Sequence, residues 1–228
     1  MRCCPVALEP RGSGPAETGD HPVVRAAATD EVVGAAYAAR AEEYTAALGS
    51  VSAMNPPDIQ LISAWAARCR GPVIDAGCGP GHWTQLLADL GADVEGVDLV
   101  PAFVDLATAR FPTVPYRVAN LDDLARPDGS VAGILAWYSL IHLEPERVPL
   151  VLREFRRCLA DDGTLLVGFY ESDRLEPFPH TVTEAYSWPV DELSRLVEDA
   201  GFGVRHTRTH PNPKRPDRRH GTLLAGAT

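Results

Sequence analysis

The stretch Val73-Ile74-Asp75-Ala76-Gly77-Cys78-Gly79-Pro80-Gly81 decides how this chain is read. Pro72–Ala76 is a short apolar run carrying one acid, the pattern of a buried strand. His82–Leu90 puts Trp83, Leu86, Leu87 and Leu90 on one helical face, and Gly91 stops it. Between strand and helix, Gly77, Gly79 and Gly81 remove three side chains. A ligand can then lie directly on the backbone at a helix N-terminus. The next strand ends in Glu95-Gly96-Val97-Asp98, which puts an acid about 20 residues after the glycines. A dinucleotide fingerprint would need G-x-G-x-x-G, but position 82 is His82, and Asp75 inside the strand is foreign to it.

Outward from this turn, strands and helices alternate. Strands are expected near 72–76, 93–98, 115–119, 131–138 and 163–170, and helices near 82–90, 101–110, 145–159 and 189–200. Alternation of this kind predicts a parallel sheet covered on both faces. Gly203–Thr209 and His220–Ala225 leave no room for a helix between them, so they predict a hairpin with the last strand antiparallel. Upstream, residues 1–28 are rich in Pro, Gly and Ala without a period and read as a flexible tail. A single domain is expected over 29–228. Thr29 starts a helix that runs to about Leu48 and stops at Gly49. After the turn Asn55-Pro56-Pro57, Asp58 caps a second helix carrying Ile59, Ile62, Trp65, Ala66 and Cys69.

The pattern D-x-G-x-G-x-G from Asp75 to Gly81 resembles motif I of the class I S-adenosylmethionine (SAM) methyltransferases, of the small-molecule type. The resemblance covers residues 30–228. It implies an α/β fold: a Rossmann-like, seven-stranded, mostly parallel sheet with an antiparallel last strand and helices on both faces. It also implies a SAM site. Asp75, Gly77, Cys78 and Gly79 would meet the methionine part, Asp98 the ribose, and Leu99 the adenine ring. Asn120 stands where the family often has an acid, and its amide oxygen can accept the adenine amino group, with the Leu121 amide on the ring nitrogen. Trp137 would offer its backbone carbonyl to the α-amino group. The stretch 36–44 resembles the lid helix of this family, in which a hydroxyl of Tyr37 or Tyr44 reaches the SAM carboxylate. The same two tyrosines also read as an amphipathic packing stripe.

The acceptor side is less marked. His142 is the best-placed proton acceptor, or else a residue holding its loop. Tyr138, Tyr170, His180 and Tyr186 are substrate-wall candidates, with 171–189 a long Pro-rich insertion of the length that often forms a lid. From Gly203 on, Arg205, Arg208, Lys214, Arg215, Arg218 and Arg219 face the single acid Asp217. Arg215 and its neighbours are therefore expected to attract an anionic small molecule, although such runs are commonly solvated loops.

Composition bounds the rest. A formal charge of −10 argues against a nucleic-acid substrate. Asn55-Pro56-Pro57-Asp58 lacks the aromatic residue of the N-P-P motif of nucleic-acid amino-methyltransferases and lies on the wrong side of motif I. The five cysteines form no CxxC pair, which suits a reduced, cytoplasmic protein. There is no run long enough to span a membrane and no metal-ligand spacing. The expected function is methyl transfer from SAM to O or N of a small molecule by in-line displacement. The alternatives are a SAM-binding protein doing cyclisation or isomerisation, and an RNA or protein methyltransferase.

Overall fold

The computed structural model describes residues 31–180, 182–212 and 215–228. Residues 31–38 are helical (α1), followed by α2 (Ala41–Leu48), α3 (Pro56–Ala66), α4 (His82–Asp89), α5 (Pro101–Arg110), α6 (Val148–Cys158) and α7 (Val190–Asp199). The strands are β1 (Val73–Ala76), β2 (Val94–Asp98), β3 (Tyr116–Val118), β4 (Val131–Trp137), β5 (Leu159–Glu171), β6 (Glu176–Pro179), β7 (Glu184–Trp188), β8 (Phe202–Asn212) and β9 (Arg215–Ala227).

The strands form one sheet in the order β3-β2-β1-β4-β5, with β9 and then β8 continuing beyond β5. β1 to β5 run parallel, and β9 lies antiparallel to β5. The period of two divides the strand residues between two cores. Ile134, Ala136, Leu165 and Val167 pack under α6 and α7, whereas Leu135, Trp137 and Leu166 pack under α3 and α4. β1 and β4 are neighbours at the point where the strand order reverses, so a crevice opens outside their carboxyl ends.

The structure corrects three expectations. The insertion 171–189 contains a β-hairpin, β6–β7. Its strand β7 pairs with Tyr170 and Glu171 of β5, beyond the residues that β4 covers. The sheet therefore has nine strands, the seven expected and the two of this hairpin. The first long helix is broken at Ala39–Arg40, where Arg40 leaves helical angles (φ −124°) and pairs with Glu43 in the next turn. The second helix starts at Pro56 with Asn55 in the cap position, because proline fits the first helical turn and places Asp58 inside it. Thr29 and the tail before it lie outside the described residues. No helix among the described residues is long and apolar enough to cross a membrane.

Gly77 has φ +80°, and a Cβ there would run into Ser139 of the segment after β4. Gly77→Ala is expected to lower unfolding free energy by about 1–3 kcal/mol through this clash and the left-handed backbone. Denaturant unfolding measures it; an unchanged midpoint would show that Ser139 moves aside freely.

Candidate cofactor and acceptor site

Of the three glycines after β1, only Gly79 faces open space. A Cβ at Gly79 (φ +52°) would meet nothing within 4 Å, whereas one at Gly81 would lie 2.8 Å from Ala107 and from Tyr116. Gly77 and Gly81 are thus required by packing, and Gly79 alone leaves room for a ligand on the backbone.

Two buried acids hold this loop. Asp98 accepts the N–H of Gly79 at 2.8 Å and that of Val100 at 2.9 Å. Burial pushes its pKa up to about 6, against the lowering effect of these N–H donors. Asp75 accepts the Thr84 hydroxyl at 2.6 Å, tying β1 to α4, and burial raises its pKa to about 7. Asp75 is not on the cavity wall, so it supports the loop from beneath rather than meeting a ligand.

Beside the loop lies a cavity of about 530 Å³. It gathers most of the residues singled out from the sequence: Tyr37 from α1 and Tyr44 from α2, Gly77, Cys78 and Gly79 from the turn, Trp137, Tyr138 and Tyr170 from the ends of β4 and β5, and His180 from the turn after β6. Asp98, Leu99, Asn120 and Leu121 are not on its wall; Asp98 lies behind the turn, holding Gly79, which is. Leu121 is buried in the main core, and the amide oxygen of Asn120 lies 3.5 Å from Arg147, which pairs with Asp122 at 2.6 Å. Tyr186 also lies off the wall; its hydroxyl donates to Glu144 at 2.8 Å and pins β7 to the loop before α6. Arg219 donates to Glu171 and Asp173. Arg215 opens β9, and its side chain lies outside the described residues.

An imidazole ties the first helix to the sheet. The Tyr37 hydroxyl is 2.7 Å from Nε2 of His142, and Nδ1 of His142 is 2.7 Å from the Glu184 carbonyl. A carbonyl only accepts, so Nδ1 carries the hydrogen and Nε2 accepts from Tyr37. Burial lowers the His142 pKa, which favours this neutral form. His142 thereby joins α1, the segment after β4 and the β6–β7 hairpin. Tyr37 and Tyr44 pack edge to face at 5.6 Å, both against Phe103. The packing reading of this face holds, and the Tyr37 hydroxyl is engaged with His142.

Two histidines escaped the sequence reading. His82 opens α4 on the cavity wall, 7% exposed, and neither ring nitrogen has a hydrogen-bond partner among the described residues. Burial, then Arg110, lowers its pKa to about 4, leaving a neutral ring with one donor and one acceptor. A histidine following the glycines matches no motif, although its replacement of the fingerprint glycine marked the position. His220 reaches the wall because β9 pairs it with Tyr170, a register no local pattern reveals. The open backbone at Gly79 and the unmatched nitrogens of His82 fit a ligand with several polar groups, as SAM has.

Comparison with known proteins settles the family. A methyltransferase-domain family model matches residues 73–163. A probable S-adenosylmethionine-dependent methyltransferase of Mycobacterium tuberculosis is 30% identical over 192 residues, covering 75% of this chain and 68% of that protein. The chain belongs to the SAM-dependent methyltransferase family. A probable family member from Mycolicibacterium smegmatis is 34% identical over 146 residues, covering 62% of this chain; the chain spans just over half, 56%, of that relative's length. In fold, the chain resembles the Burkholderia thailandensis 1,6-didemethyltoxoflavin-N1-methyltransferase, solved with its acceptor and S-adenosylhomocysteine. The TM-score is 0.75 at 22% identity, covering 92% of this chain and 93% of that one. The [4+2]-cyclase SpnF shares the fold at a TM-score of 0.64 and 15% identity, covering 75% and 80%.

The family's cofactor gives direct tests. Asparagine tolerates left-handed angles, so Gly79→Asn should fold normally yet project a side chain into the cavity. Calorimetry should show S-adenosylhomocysteine binding at least about tenfold weaker, a loss of about 1.4 kcal/mol; unchanged affinity would place the ligand elsewhere. His142→Ala should speed hydrogen exchange in α1 and β6–β7 but not in β1 or β4. Equal protection in both proteins would show that these elements are held without this imidazole.

Proposed function

We propose that this chain transfers the methyl group of SAM to nitrogen or oxygen of a small, planar aromatic molecule. The observation that carries the reading is that one cavity is lined both by the open backbone of Gly79 and by ring faces. Tyr138 and Tyr170 lie 5.0 Å apart by centroids, Tyr170 and His220 5.6 Å, and Tyr170 and His180 6.1 Å. Such faces stack on flat ligands. Arg40 on the wall is paired with Glu43 at 2.7 Å, and Asp58 adds an acid. This balance favours an uncharged acceptor over the anionic one expected from the C-terminal cluster. The Burkholderia thailandensis enzyme of similar fold, named for N1-methylation, supports the class.

Bound SAM supplies a methyl group already activated on a sulfonium sulfur. The chain's task is chiefly to position and to exclude water. The Gly79 backbone and the nitrogens of His82 would hold polar groups of the ligand, and Asp98, which holds the Gly79 turn, would take its hydroxyls. The rings of Trp83 and Trp137, 6.1 Å apart on the wall, present π-faces to a cation. The Tyr37–His142–Glu184 link keeps the lid over the cavity.

Two measurements test this. SAM and the chain, incubated with hydroxy- and amino-substituted heteroaromatic compounds, should release S-adenosylhomocysteine in step with methylated product. A rearranged product with SAM intact would favour cyclase-like chemistry instead. The carboxylate of Asp98 must be charged to accept hydroxyls, and its folded pKa is raised to about 6. S-adenosylhomocysteine affinity should therefore be level above pH 7 and fall by up to about tenfold per unit below pH 6, and Asp98→Asn should flatten that profile. A profile of the same shape in the variant would exclude Asp98 as its source.

A further inference from the structure

Tyr138 is one of two non-glycine residues with positive φ among the described residues, at 57°. Such a conformation persists where the surroundings impose it, and it recurs at functional positions. Here the Tyr138 N–H is held by the Gly168 carbonyl at 2.9 Å. Its hydroxyl is hydrogen-bonded to Nδ1 of His220 on β9. His220 stacks on His210 of β8 at 5.2 Å and lies beside Tyr170 of β5. Tyr138 and His220 line the same cavity as Gly79 and Trp137. With Nδ1 committed to Tyr138, Nε2 of His220 has no hydrogen-bond partner among the described residues and belongs to a half-buried ring on that wall.

We propose that Tyr138 and His220 form a proton relay facing the methyl acceptor, with Tyr138 the group that touches it. This rests on the function proposed above. In the step, the sulfur–methyl bond breaks with its electron pair staying on sulfur, and a lone pair of the acceptor oxygen or nitrogen forms the new bond to carbon. The acceptor's O–H or N–H proton passes to the Tyr138 oxygen as Tyr138's own proton passes to Nδ1 of His220. The Nε2 hydrogen of the resulting imidazolium then leaves to solvent, restoring the neutral ring after tautomer exchange. One proton is released for each methyl transferred, and no further reactant is needed.

The surroundings fit a relay rather than a resting charge. Burial and His210 lower the pKa of His220 to about 4, so its Nδ1 lone pair is free at neutral pH and the imidazolium discharges readily. Burial, then Asp58 of α3 and Tyr170, raises the pKa of Tyr138, so it gives up its proton only while receiving another. A base this weak suffices because the acceptor's proton becomes strongly acidic only as the methyl bond forms. His142 is unsuited to the task, since both its nitrogens are engaged.

The test starts with nitrogen-15 NMR of histidine-labelled protein saturated with S-adenosylhomocysteine, His220 being assigned with His220→Gln. The relay requires the neutral tautomer with hydrogen on Nε2 and a bare, hydrogen-bonded Nδ1 from pH 6 to 8. Hydrogen on Nδ1 overturns it. Phenol and 4-nitrophenol are then compared as acceptors. Tyr138→Phe and His220→Gln should each slow phenol methylation about 100-fold, and 4-nitrophenol, which ionises unaided in mildly alkaline solution, about tenfold or less. Equal losses on both probes, or wild-type turnover of neither, overturn the relay. Calorimetry separates the two readings: intact S-adenosylhomocysteine binding with a failed relay leaves the proposed methyl transfer standing, whereas lost binding in the wild type removes both.

Discussion

The hydrogen bond from the Gly79 N–H to Asp98 is the contact on which the site depends. It joins the turn after β1 to the end of β2 at 2.8 Å, in a place that the sheet order has already left open. A buried carboxylate is costly unless it has donors. Asp98 meets that cost by ordering two backbone N–H groups, and the same geometry presents Gly79 toward the cavity. Asp75 does the equivalent work one layer lower, through Thr84, where it fixes the start of α4. Neither acid needs a ligand in order to shape the turn. The glycine loop is therefore preorganised, which lowers the entropic cost of binding.

Over this rigid floor lies a roof made of separate pieces. α1 and α2 rest on Phe103 and Val100 through a small aromatic and aliphatic cluster, distinct from the two large cores of the sheet. The β6–β7 hairpin pairs with β5 at Tyr170 and Glu171, sets Phe178 against Tyr170, and is joined to the loop before α6 by Tyr186. His142 links these pieces, its neutral ring donating from Nδ1 to Glu184 and accepting at Nε2 from Tyr37. A small cluster, a short strand pairing and one imidazole are features of elements that open locally at low cost. The family's task of admitting two ligands and then excluding water calls for such a construction.

The fold and the cofactor turn were legible in the sequence because both depend on local patterns. Val73–Ala76 is apolar and four residues long, Gly91 ends a helix with one apolar face, and glycines with a following acid mark a backbone that must approach a ligand. Each is a statement about neighbours a few residues apart. The antiparallel end of the sheet followed as well, since Gly203 to Ala225 is too short to hold a crossover helix. The hairpin within 171–189 was not legible: its prolines and short strands resemble a loop, and it becomes a hairpin only because β5 outruns β4 and offers an unpaired edge.

What the tertiary structure alone decided is which side chains face the cavity and which of them are already engaged. Gly77, Gly79 and Gly81 look alike in sequence, and only Ser139, Ala107 and Tyr116 distinguish them. His142 looks like a free base until Tyr37, 105 positions away, claims one nitrogen. His220 carries no motif and enters the site by strand register with Tyr170. Hydrogen-bond partnership and burial are properties of pairs brought together by long-range packing, so a linear pattern specifies the turn that holds the donor but not the groups that surround the acceptor.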